Sequence, residues 1–174
     1  MISGWQRLLK RSAPASSFPR PDRVSTIVLN HLGTPAGIFG PVRRGTGRNP
    51  GRRRELFVRW RDDLAALAAH ATVVSKVSGL MMPILGHPVP KRGEPTPVPI
   101  LLERISPMRA HSLDVFGADR LIWGANFPVD KPITSIPNTV EAVATALAGH
   151  GADDKAVERT FRSNSERVYG IDDL

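Results

Sequence analysis

The chain has 174 residues, 41% apolar and 23% charged, a composition that suits one globular domain with a real core. It contains no cysteine, which excludes disulfides and thiolate metal sites and leaves His, Asp and Glu as the available metal ligands. No apolar run reaches the roughly 18 residues of a membrane-spanning helix, and the net charge of +8, from 24 Lys plus Arg against 16 Asp plus Glu, allows an anionic partner.

From Met1 to Pro21 the sequence carries Arg7, Lys10, Arg11 and Arg20, no acid, and Ser12, Ser16 and Ser17 among prolines. The composition resembles a transit peptide, while Leu8-Leu9 is too short for a secretory signal. A disordered basic leader over 1–23 is the expectation, with the folded part over 24–174 and the cytoplasm as the location. Ser25 to Asn30 is short, β-branched and nearly all apolar, and reads as a strand buried on both faces. It runs into the loop His31-Leu32-Gly33-Thr34-Pro35. Arg43, Arg44, Arg48, Arg52, Arg53 and Arg54 follow among glycines and a proline. This stretch reads either as a phosphate-binding loop or as a solvated, flexible loop, and loop behaviour favours the second. No aromatic stands there to stack on a base, so nucleic acid is not an expected partner.

Leu56, Phe57, Trp60, Leu64, Leu67 and Ala68 recur at helical spacing and predict a helix over 54–69. Thr72 to Val77 is the second strand and ends in Ser78-Gly79. Residues 81–99 form a proline-rich loop of a length that is often functional, with His87 expected on its surface. Leu101, Leu102 and Ile105 predict a helix that Ser106-Pro107 caps and restarts, and Met108, Val115 and Phe116 continue its apolar side. Arg120 to Gly124 is the third strand, leading into Ala125-Asn126-Phe127-Pro128. A helix over 138–148 places Val140, Val143, Ala144 and Leu147 on one face. Asp153 or Asp154 then caps a last helix to Tyr169, with Val157, Phe161 and Val168 inward.

Strands alternating with helices predict an α/β fold with a parallel sheet, either a small three-layer domain or part of a barrel. In such folds chemistry sits at the C-terminal ends of strands, and here each strand ends in a polar cluster beside glycine. His31 suits a metal ligand or a general base, or a histidine hydrogen-bonded at a loop mouth. Lys76 can hold a substrate carboxylate, or pack its stem and leave its head in water. Ser78 has no base beside it in sequence, which weakens a nucleophile reading. Asn126 can donate to a carbonyl oxygen but cannot take a proton. Asp130 is the nearest carboxylate, and a loop or capping role is its alternative.

The motifs His31-Leu32-Gly33-Thr34-Pro35, Lys76-Val77-Ser78-Gly79-Leu80 and Arg120 to Val129 resemble "DHLGKP", "KLSGL" and "RLMFGSDWPV". Asn30 stands in the usual Asp position of the first. Phe161, Asn164, Arg167 and Tyr169 resemble a terminal "F..N..R.Y" helix. In this order, over about residues 24–171, the four resemble the TIM-barrel metal-dependent hydrolases of the amidohydrolase superfamily. The branch is similar to lactonases acting on sugar lactones and pyrone dicarboxylate, and to related decarboxylases. The resemblance implies a partial (β/α) TIM barrel, its C-terminal strands and helices only, and a small-molecule substrate of carboxylate or lactone type. It implies catalytic roles for His31, Asn126 and Asp130, substrate binding by Lys76 and Ser78, and a divalent metal such as zinc with His31 as a ligand; some lactonases of the branch use none. Two departures stand out: no His-x-His pair occurs, and Asn126 replaces the Asp that activates water. An inactive fragment binding anions through its Arg-rich stretch is the alternative. A three-strand piece also leaves open sheet edges, through which self-association is expected.

Overall fold

The computed structural model describes residues 25–171; the expected leader over 1–23 lies outside them. Three strands, β1 (Ile27–Leu29), β2 (Val73–Val77) and β3 (Leu121–Trp123), form one parallel sheet in the order β1-β2-β3. Leu29 pairs with Ser75, and Ser75 with Leu121, so the three strand ends stand level. Helices α1 (Pro50–Ala68), α2 (Val98–Phe116) and α3 (Ile136–Ala148) follow the strands in turn, and α4 (Asp154–Phe161) and α5 (Ser163–Tyr169) close the order. Val73, Val77 and Leu121 lie on the same sheet face by register. They join Leu64 of α1, Leu101, Ile105 and Met108 of α2, and Val143 and Leu147 of α3 in one buried cluster. β2 is buried on both faces, with Val73 and Val74 each 3% exposed. β1 is not: Ile27 is 58% exposed, because among the described residues β1 lies at the edge of the sheet with β2 on one side only.

The helix starts and breaks differ from expectation for local reasons. α1 begins at Pro50, because the Asn49 side chain accepts from the Arg52 N–H at 2.8 Å and proline is preset for the first helical position. Arg52, Arg53 and Arg54 therefore belong to the first turns of a helix rather than to a flexible loop. α2 runs unbroken through Pro107 instead of restarting there. An interior proline costs about 3 kcal/mol, but Leu101, Ile105 and Met108 are each fully buried along one side, and each contributes about 1.5–3 kcal/mol. The Ser106 hydroxyl donates to the Leu102 carbonyl at 2.7 Å within this stretch. The last helix is two, broken at Arg162 (φ −139°, ψ −76°); Asp153, rather than Asp154, caps its start by accepting from the Ala156 N–H at 2.8 Å.

The proline-rich loop is tied down. Gly37 and Phe39 donate their N–H groups to the carbonyls of Ile84 and Leu85 at 3.0 and 2.9 Å. Gly40 and Gly86 meet backbone to backbone, where a Cβ on Gly40 would stand 2.4 Å from the Gly86 oxygen. His87 is consequently buried rather than exposed, at 5%. Its Nε2 meets the Leu80 carbonyl at 2.7 Å and its ring lies 4.5 Å from that of Phe39. Desolvation lowers its pKa to about 4, against the raising effect of the Leu80 bond. Among the described residues no helix is long and apolar enough to cross a membrane.

Candidate functional site at the strand ends

Beyond Leu29 the chain turns sharply, with His31, Leu32 and Thr34 at φ of 56°, 48° and 50°. Left-handed backbone costs an ordinary residue about 1–2 kcal/mol, so three such residues within four positions need anchors. Leu32 is fully buried and its carbonyl accepts from the Trp60 indole at 2.8 Å. The Thr34 N–H donates to the His31 carbonyl at 2.9 Å. The third anchor is a side-chain pair: His31 Nδ1 and Ser78 Oγ lie 2.8 Å apart. Behind them a Cβ on Gly79 (φ +60°) would come 2.7 Å from His31 Nδ1. Glycine is thus required for the imidazole to reach the end of β2.

The next strand end abuts this pair. The Gly124 N–H donates to the Val77 carbonyl at 3.4 Å, and a Cβ on Gly124 would sit 3.7 Å from that of Ser78. From Gly124 the chain enters a tight turn in which the Asp130 N–H donates to the Asn126 carbonyl at 3.1 Å. Asp130 is 1% exposed, and neither of its carboxylate oxygens has a hydrogen-bond partner among the described residues. Burial raises its pKa to about 6; the Asn126 side chain opposes the rise, although no bond of normal geometry joins the two. A buried carboxyl held near neutrality is suited to taking and returning a proton.

The sequence-predicted residues therefore fall into three pairings. His31 meets Ser78, Asn126 neighbours Asp130, and the Lys76 ammonium lies over the Tyr169 ring, 5.0 Å from its centroid. Lys76 makes no ion pair among the described residues. With Nδ1 engaged by Ser78, His31 offers Nε2 as its remaining nitrogen. No three His, Asp or Glu side chains converge as a metal's ligands among the described residues, and a protein zinc site takes three or four. These residues do not by themselves fit a metal centre. Sequence reading missed three supports: Trp60 under the His31 turn, Gly79 as the seat of the ring, and Tyr169 beneath Lys76. The helical pattern signalled Trp60 as core, but nothing near it signalled its polar partner.

A family model described as amidohydrolase matches residues 7–171. The chain is 39% identical over 113 residues to an L-fucono-1,5-lactonase of Burkholderia ambifaria; the match covers 65% of this chain and 30% of that protein. The fold is similar to that of an amidohydrolase from Burkholderia multivorans crystallised with bound HEPES, with a TM-score of 0.65 and 25% identity, covering 84% of this chain and 45% of the other. A zinc-bound crystal form of a B. multivorans amidohydrolase gives a TM-score of 0.64 over 44% of its length. The chain thus spans less than half of the relatives it matches, and its α/β architecture corresponds to part of their TIM barrel. On the family match and these likenesses together, the chain belongs to the amidohydrolase family.

Proposed function

We propose that this chain provides the C-terminal part of the active site of a hydrolase that opens lactones, with a sugar lactone of the L-fucono-1,5-lactone kind as its substrate. The observation that carries the reading is the His31–Ser78 pair at 2.8 Å, held at the end of the sheet by a left-handed turn and a required glycine. The likeness to a lactonase supports the substrate class.

In this reading water attacks the lactone carbonyl carbon while Asp130 takes its proton. The ring C–O bond then breaks, and the departing alkoxide recovers a proton from Asp130, giving a hydroxy acid. Asn126 donates its amide to the carbonyl oxygen, where negative charge develops. Lys76 holds a negatively charged or hydroxyl-rich part of the substrate. Ser78 positions His31: an Nδ1–H donating to Oγ leaves the Nε2 lone pair free to accept. His31 is also the candidate metal ligand of the set. Because further ligands would have to come from outside the described residues, no step here is routed through a metal.

The test is lactone hydrolysis by the full-length protein, with divalent metal supplied and the acid product followed by pH-stat. His31→Ala and Asp130→Asn should each lower kcat/KM by roughly 100-fold or more. A rate equal to spontaneous hydrolysis, or variants as fast as the parent, would refute the proposal.

A further inference from the structure

Away from the strand ends, a groove of about 620 Å³ lies between α1 and α2, within the range of small-molecule sites, roughly 300–1,000 Å³. Its surface is mostly apolar, formed by Ile38, Phe39 and Phe57 among others. Three guanidinium groups border it, Arg53 and Arg54 from α1 and Arg104 from α2, against one carboxylate, Glu103.

These arginines are not equally occupied. Arg53 donates to the Gly47 carbonyl at 3.0 Å. Arg54 and Arg104 form no ion pair among the described residues. Arg52, one residue before them, is tied to Glu55 at 2.6 Å and does not border the groove. The first turn of α1 also reaches the groove through Pro50, and its dipole adds to the positive potential.

We propose that this groove binds a small amphipathic organic anion. An aromatic or acyl body lies on Phe39 and Phe57, and a carboxylate head meets the forks of Arg104 and Arg54. Inorganic phosphate would answer the charge but leave the apolar floor bare, and a neutral apolar molecule would leave the guanidinium charge of Arg54 and Arg104 unanswered. The site is independent of the lactonase reading, since His31, Ser78, Asn126 and Asp130 do not line it.

The full chain should be titrated by calorimetry at low salt with 2-naphthoate, with 2-naphthylmethanol as the uncharged analogue, and with inorganic phosphate. The naphthoate should bind at least about tenfold tighter than either control, a difference of about 1.4 kcal/mol. Arg54→Gln and Arg104→Gln should each weaken it about fivefold or more, and Arg52→Gln less than about twofold, because fork recognition rather than net charge is at stake. Arg54 is exposed, so its variant tests the proposal even if Arg104→Gln fails to fold. Undetectable naphthoate binding, equal binding of either control, or equal losses at Arg52 and Arg54 would overturn it.

Discussion

Asp130 and His87 are the two acidic-range titrating groups that burial moves furthest, and they act on stability in opposite directions. The Asp130 pKa rises from 3.8 to about 6, so between these values the folded state holds more protons than the unfolded. Its stabilising contribution is complete below pH 4 and is lost as pH rises through 6. His87 falls from 6.5 to about 4; there the unfolded state holds more protons, and stability is lost as pH falls through that range. The two trends partly cancel in the parent, and a substitution separates them. Asp130→Asn should leave urea stability unchanged below about pH 4 and raise it by on the order of 1–3 kcal/mol above pH 6. A variant less stable than the parent at pH 7 would show that Asp130 has a partner that compensates its charge. Gly79→Ala should unseat His31 and cost about 2 kcal/mol or more, since the added methyl would meet the ring at 2.7 Å in a backbone conformation of φ +60°; thermal unfolding and the His31 imidazole NMR shift would report both effects. The strand-end position of His31 and Ser78 could be read from the sequence. Their pairing could not, because the partners stand 47 residues apart and spacing along a chain is silent on contacts made through a sheet.

Within the elements, several motif residues prove to be fasteners. Asn164 of α5 is 2% exposed and donates to the carbonyls of Ala118 and Leu121 at 2.7 and 2.8 Å, tying the last helix to the base of β3. Asn164→Ala should cost about 1–3 kcal/mol by stranding those acceptors, with the loss visible in chemical denaturation and no change in substrate affinity. Arg120, at the start of the third motif, donates to the carbonyls of Phe116, Ala68, His70, Val73 and Val115, joining the ends of α1 and α2 to β2. From spacing alone it reads only as the first residue of a strand. Arg109 is the opposite case. It is fully buried in α2, bonded to Ser112 at 2.9 Å, with Nε and Nη2 unpartnered among the described residues. Burial pulls its pKa down to about 9. A buried charge without a counterion is worse than an apolar side chain of similar size, so Arg109→Met should raise stability by about 1–3 kcal/mol in a urea titration. The continuous α2 was hidden by Pro107, whose local rule is real but weaker than the burial of three side chains. The break at Arg162 was hidden by an apolar spacing that runs smoothly through Val157, Phe161 and Val168.

For the molecule as a whole, alternation of β-branched runs with 3.6-residue periodicity was enough to give the parallel α/β order, because both patterns follow from burial on a sheet and on a helix stripe. How far the sheet is covered was not legible. β1 looks as apolar as β2 yet lies at an edge, with Ile27 58% exposed. Each outer strand pairs on one side only among the described residues. The isolated chain should therefore self-associate, its light-scattering mass rising with concentration; a concentration-independent monomer with a sharp melt would oppose this. In the proposed lactone opening, the buried Asp130 carboxyl beyond the end of β3 moves the proton. The pH profile of kcat/KM for the full-length protein and for Asp130→Asn tests it most directly. The parent should show a rising limb centred near pH 6, where Asp130 ionises, and the variant should lack that limb. An unchanged limb in Asp130→Asn would contradict the account.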